Sequence, residues 1–365
     1  MSETRTVTLN ETRTRLIRLM KLGRPVFIWG QPGVGKSELI QNIADSNELG
    51  TTLVKDVRVA LNEPTDIKGM PFFNSSTGNM EWAPPVELPT QSESEQYDTI
   101  ILFLDELNSA APATQAATYQ LTLNRRVGEY VLPDNVVIVA AGNRESDKGV
   151  TYRMPTALAN RFVHFEVRVD YESWLDWAVD NDIHADVIGY ISFAKQDLSD
   201  FDPRSSGRSF ATPRTWTFVS DILKQESGDE AEDTDMIAGT IGEGIALKFM
   251  AHRRIAADMP NPRDILEGKV TELKVDEISA HYALTVGMCY ELKDSYEKSK
   301  DKDTWHVEAD NFFRFMMDQF PTEITVMGAR IAVSNYDLPF NPQKLTHFNE
   351  FFERYGKYVV KAMED

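Results

Sequence analysis

The 365-residue sequence holds one cysteine, Cys289, so no intrachain disulfide can form. Cys289 sits at helical spacing among apolar residues in "LTVGMCYEL", the setting of a small buried side chain. The six histidines are scattered, with no pair at metal-ligand spacing. No Ser/His/Asp or Cys/His arrangement offers a nucleophile. No apolar run approaches the length of a membrane span, and the opening "MSETRTVTLNETRTRL" lacks the apolar core of a secretion signal. The chain therefore reads as a soluble cytoplasmic protein without a membrane partner, and the sequons at Asn10 and Asn74 as accidental. Basic residues are also short, 38 against 57 acids, for a formal charge of −19. Such a surface repels phosphodiester backbones and argues against a nucleic-acid partner unless a basic patch is concentrated locally.

What is present is a globular composition, 42% hydrophobic and 10% aromatic, in a chain long enough for two or three domains. Residues 1–168 alternate strand-like and helix-like segments. "PVFIW", "TTLVKDVRV", "TIILFLDE", "NVVIVAAGN" and "RFVHFEV" read as five strands, with helices such as "KSELIQNIADSN" and "PATQAATYQLTLNRR" between them. Continuous Val/Ile/Leu runs separated by helices predict an α/β fold, a parallel five-stranded sheet covered on both faces. "FFNSSTGNMEW" and "RRVGEYVLPDN" read as hairpins inserted into this domain. After about Tyr171 only helical patterns remain, including "DMIAGTIGEGIALKFMAHRR". The acidic run "ESGDEAEDTD" reads as a solvated loop. Residues 169–260 form one expected helical domain and 261–365 a helical extension. Trp305, Phe312, Phe313, Phe315 and Phe320 fall at helical spacing there and read as core.

"GQPGVGKS" fits G-x-x-x-x-G-K-[ST], from Gly30 through Gln31, Pro32, Gly33, Val34 and Gly35 to Lys36 and Ser37. Its glycines let the backbone wrap phosphates, and the helix opening at Lys36 adds its positive end. Lys36 would reach the β- and γ-phosphates, and the Ser37 hydroxyl would bind Mg2+. The neighbouring acids follow in "IILFLDE": Asp105 for the Mg2+ shell, and Glu106 to polarise a water attacking the γ-phosphate. "VVIVAAGN" ends in Asn143, an amide able to orient that water. "YRMPTALANRF" reads as a short helix ending in Arg161, placed to serve a neighbour's phosphate site.

Together these segments resemble an AAA+ ATPase, the P-loop NTPase class in which such a sheet is followed by an α-helical lid. More narrowly, "DELNSA" at Asp105–Ala110 resembles the MoxR and dynein-related branch, which includes CbbQ-type activators from bacteria and phage. The resemblance covers about residues 10–260. It implies an ATPase with Walker A at Gly30–Ser37, Walker B at Asp105 and Glu106, a first sensor at Asn143 and a second at Arg214 in "FATPRTW". Arg161 matches the arginine finger that acts in trans, a role that Arg153 would share or take. Arg144, beside Asn143, is a further candidate for a subunit junction. The resemblance also implies ATP and Mg2+, a homo-hexamer, and a protein client, in some systems one carrying a von Willebrand factor A domain. An insertion like "FFNSSTGNMEW" would face the ring channel, with Phe72, Phe73 and Trp82 gripping a substrate chain. The alternative is a nucleic-acid motor or an NTP-driven restriction or defence subunit, using Lys68 and Arg125–Arg126. A third is a scaffold that binds ATP without turning it over, against which Glu106 argues.

Overall fold

The computed structural model describes residues 5–364 other than 128–129, 148, 150, 206, 226–227, 275–276 and 299–301. It divides into two compact units, one running through Asp170 and joined by a short stretch from Phe201, the other comprising Tyr171–Asp200 and the chain from Gly207 onward.

The first unit carries strands β1 (Thr6–Val7), β2 (Val26–Trp29), β3 (Thr52–Arg58), β4 (Met70–Asn74), β5 (Asn79–Ala83), β6 (Thr99–Asp105), β7 (Arg126–Val127), β8 (Tyr130–Val131), β9 (Val136–Gly142) and β10 (Val163–Val167). Its helices are α1 (Leu9–Lys21), α2 (Lys36–Asp45), α3 (Pro64–Lys68), α4 (Gln91–Ser94), α5 (Pro112–Asn124) and α6 (Thr156–Ala159). The main sheet is wholly parallel in the order β1-β10-β2-β9-β6-β3. It has six strands rather than the expected five, because Thr6 and Val7 pair with Glu166 and Val167 at one edge. Two residues are too short for a periodic signal.

Strand alternation splits the core between the two faces. Phe27, Leu102, Leu104 and Ala140 pack with Ala117 and Leu121 of α5 and with Phe162. Val26, Ile28, Phe103 and Val139 pack with Leu16 and Met20 of α1 and with Leu39, Ile40 and Ile43 of α2. Helix α1 starts on a reciprocal cap, in which Glu11 N–H donates to Thr8 Oγ1 and Thr8 N–H to the Glu11 carboxylate. Both expected hairpins form, β4 against β5 and β7 against β8, each antiparallel. The turn of the second lies outside the described residues.

The second unit is helical: α7 (Tyr171–Asp180), α8 (Ala185–Phe193), α9 (Pro213–Lys224), α10 (Glu230–Ile241), α11 (Glu243–Ala257), α12 (Pro262–Leu266), α13 (Ile278–Lys298), α14 (Lys302–Gln319), α15 (Thr322–Arg330) with a π-helical turn at Ile331–Asn335, and α16 (Thr346–Glu364). Segments from both sides of residue 260 pack together in it. Tyr290 Oη on α13 donates to Ile183 O at 2.6 Å, and Arg330 Nη2 donates to Asp176 of α7 at 2.9 Å. Trp305, Phe312, Phe313, Phe315 and Phe320 are buried, as is Cys289, whose thiol is pushed up by burial.

Two expectations for this unit need correction. The acidic run is not a loop throughout: Asp229 caps α10 by accepting from Ala231 N–H, and the acids from Glu230 onward line the first turn, where they favour the helix dipole. The single helix expected over "DMIAGTIGEGIALKFMAHRR" is two, broken at Gly242, whose φ of +88° is left-handed.

Candidate nucleotide site

Strands β2, β9 and β6 are neighbours in the sheet, with Trp29 opposite Gly142 and Leu104 opposite Ala140. Their carboxyl ends therefore open onto one crevice, where open α/β sheets place ligands. The loop leaving β2 turns into α2 on left-handed glycines, Gly33 at φ +75° and Gly35 at φ +101°. Gly35 is the N-cap of α2, so no side chain screens the first N–H groups of that helix. At Gly30 a side chain would meet Val34 Cγ1 at 3.1 Å and Val167 O at 3.4 Å, which keeps the loop entry narrow.

Lys36, Ser37, Asp105 and Asn143 converge. Lys36 Nζ donates to Gly30 O at 2.7 Å, Gln31 O at 3.1 Å and Asn143 Oδ1 at 3.3 Å. Ser37 Oγ donates to Asp105 Oδ2 at 3.1 Å. Asp105 Oδ1 in turn accepts the Glu106 N–H at 2.8 Å. Glu106 is exposed and left-handed at φ +54°, a conformation that costs a non-glycine residue about 1 kcal/mol. Such strain gathers at functional sites.

A hydroxyl beside a carboxylate, a lysine held on loop carbonyls and a glycine cradle at a helix N-terminus fit a magnesium-bound triphosphate. Pro32 and Val34 complete the loop, Val34 by packing its side chain into the core beneath α2. Asp56 on β3 adds a carboxyl that sequence reading missed. Partial desolvation and the Asp105 charge hold it above the usual carboxylate range.

The arginines are distributed differently. Arg144 Nε donates to buried Asp147 at 3.1 Å and Arg144 Nη1 to Glu166 at 3.4 Å, so its guanidinium is engaged within the chain. Arg161 lies just past the end of α6, which stops at Ala159 rather than at Arg161. Arg161 and Arg153 are both exposed, and neither makes an ion pair among the described residues. Arg214 is exposed in the first turn of α9, in the second unit, behind the Thr212 N-cap. Arg125 Nη2 donates to Pro133 O at 2.7 Å and Val136 O at 2.9 Å, which ties it to the backbone.

A further contact was missed because 135 residues separate its partners. Trp29 Nε1, at the entry to the phosphate loop, donates to His164 Nδ1 at 2.9 Å. His164 Nε2 therefore carries the proton and donates to Ala159 O at 2.8 Å. The imidazole thus joins β2 to the end of α6, two residues before Arg161.

Residues 25–164 match the family described as "ATPase family associated with various cellular activities (AAA)". Midasin of Giardia intestinalis is 30% identical over 188 residues, which is 48% of this chain and 4% of that protein. Midasin of Dictyostelium discoideum is 30% identical over 169 residues, 42% of this chain and 3% of that protein. The chain thus spans only a small part of the relatives it matches. Among solved structures, the Thermotoga maritima RuvB Holliday junction branch migration motor is 17% identical, with a TM-score of 0.36, over 72% of this chain and 76% of its own. NtrX from Brucella abortus is 13% identical, with a TM-score of 0.36, over 99% of this chain and 69% of its own. Among the described residues no helix is long and apolar enough to cross a membrane.

Proposed function

We propose that the chain, whose residues 25–164 match the AAA ATPase family, is an ATP-hydrolysing ring subunit of MoxR type that remodels or activates a protein partner. The observation that carries this reading is the convergence of Lys36, Ser37, Asp105 and Asn143 at the carboxyl ends of three neighbouring strands. Bound Mg2+–ATP supplies the phosphoanhydride bond; the remaining roles belong to this chain. Lys36 exchanges the loop carbonyls for phosphate oxygens. Ser37 and Asp105 would hold the Mg2+ ion, which would neutralise charge on the phosphates. Glu106 takes the proton of the attacking water, and Asn143 fixes that water's direction. Arg214 takes the second-sensor role on the MoxR resemblance alone.

Arg161 acts across a junction on a neighbour's nucleotide, and Arg153 is the second candidate for that role. Its exposure and the lack of an ion-pair partner among the described residues support this. A site completed by a second copy implies a ring, and six subunits follow the MoxR resemblance. The client is a protein, with a von Willebrand factor A domain the first candidate. Exposed Phe73 and Trp82 on the β4–β5 hairpin, 62% and 38% accessible, support a grip on a polypeptide. The net charge of −19 and the engagement of Arg125 weigh against a nucleic-acid motor.

The experiment is nucleotide binding and turnover by two variants of the full chain. Lys36→Ala should weaken ATP binding more than about tenfold, and unaltered affinity would remove the phosphate-loop reading. Glu106→Gln should bind ATP but turn it over about 100-fold more slowly. Normal turnover there would remove Glu106 as the base.

A further inference from the structure

Asn108 follows the two acids by a few residues and is 1% exposed. Its Nδ2 donates to the backbone carbonyl of Asn143 at 2.7 Å, while the Asn143 side chain accepts from Lys36. The Asn108 carbonyl accepts Tyr152 N–H at 2.7 Å, in the stretch that leads to Arg153 and α6. Its Oδ1 is buried with no hydrogen-bond partner among the described residues and lies 2.0 Å from where a side-chain carbon on Gly142 would stand. Only glycine at 142 admits this carboxamide. A half-satisfied buried amide costs stability that an apolar side chain would not, so packing alone does not account for it.

The backbone between Glu106 and Asn108 gives the contact its leverage. Glu106 is left-handed and opens the 3-10 turn Leu107–Ser109, closed by Ser109 N–H donating to Glu106 O at 2.9 Å. An anchor at 108 therefore sets the direction from which Glu106 projects. The same anchor sets the end of β9, from which Asn143 projects. We propose that Asn108 is a positioning residue that holds Glu106 and Asn143 in one geometry through its Nδ2–H donation to Asn143 O. It touches neither nucleotide nor water, and the inference rests on the nucleotide site proposed above. Its loss is felt in the chemical step, where an error of about 1 Å costs up to 100-fold, and not in the phosphate loop, which holds the nucleotide independently.

Asn108→Asp keeps the shape and removes the donor; Asn108→Ala removes both. Each is compared with the parent, as full chains, for kcat and KM with ATP, for ADP affinity by calorimetry and for cooperative melting. The expected result is a kcat about 10- to 100-fold lower in both, with ADP affinity within about threefold of the parent, since Asn108 does not contact the phosphate loop. Parental kcat in Asn108→Asp overturns the proposal. So does a loss of kcat that only follows a matching loss of ADP affinity, or the loss of folding in both variants, since Asn108 is then a structural residue. Lys36→Ala and Glu106→Gln run alongside. If neither is impaired, the nucleotide site itself has failed; if both are impaired and Asn108→Asp is not, only the positioning role has.

Discussion

At the scale of single residues, the contiguous phosphate loop was legible and the contacts across the sheet were not. Gly30–Ser37 could be read because the whole motif lies in one octet, and the strand before it and helix after it form as the pattern implies. Asn108 to Asn143 and Trp29 to His164 span 35 and 135 residues, and only the fold brings them together. His252 on α11 is another case that pattern hides. It is 4% exposed, and neither ring nitrogen has a hydrogen-bond partner among the described residues. It stacks on Phe193 with centroids 6.2 Å apart and meets Tyr190 edge-on. Burial depresses its pKa from 6.5 to about 4, against a small opposing pull from Asp186. Between those two values the unfolded imidazole binds a proton that the folded one refuses, so stability falls as pH drops from 7 toward 4. At pH 5 the loss from this group is about 2 kcal/mol. His252→Phe should cut the pH 7 to pH 5 change in denaturation free energy by about that amount, and an unchanged difference would exclude His252 as its source.

At the scale of elements, the long apolar strands were legible because each carries its own periodic signal, whereas β1 is short and gains its pairing only from β10. The break between α10 and α11 turns on one glycine in a left-handed conformation, which residue type alone does not announce. The crossing of α8 on α13 depends on another. At Gly189 an added Cβ would stand 2.7 Å from Ala283 Cα and 3.1 Å from Ala283 N, so the clash is with backbone and no rotamer relieves it. Gly189→Ala should therefore destabilise the helical unit by about 2 kcal/mol, read from denaturant midpoints. Pairing it with Ala283→Gly should recover only a minor part, and full recovery would place the clash in the side chain instead.

For the whole molecule, the claim with most consequence is that one copy of the chain is an incomplete enzyme. Its phosphate loop and acids lie together, while Arg161 is exposed and has no ion-pair partner among the described residues. A finger supplied in trans is worth about 1000-fold or more in turnover. The direct measurement mixes Arg161→Ala chains with Lys36→Ala chains and follows phosphate release against mixing ratio. Each variant alone should be nearly inactive. Together they form junctions that pair an intact loop from one with an intact finger from the other, about one junction in four at equal amounts. The account predicts activity that rises on mixing and peaks near equal proportions. Activity that stays at the level of the separate variants at every ratio would contradict it.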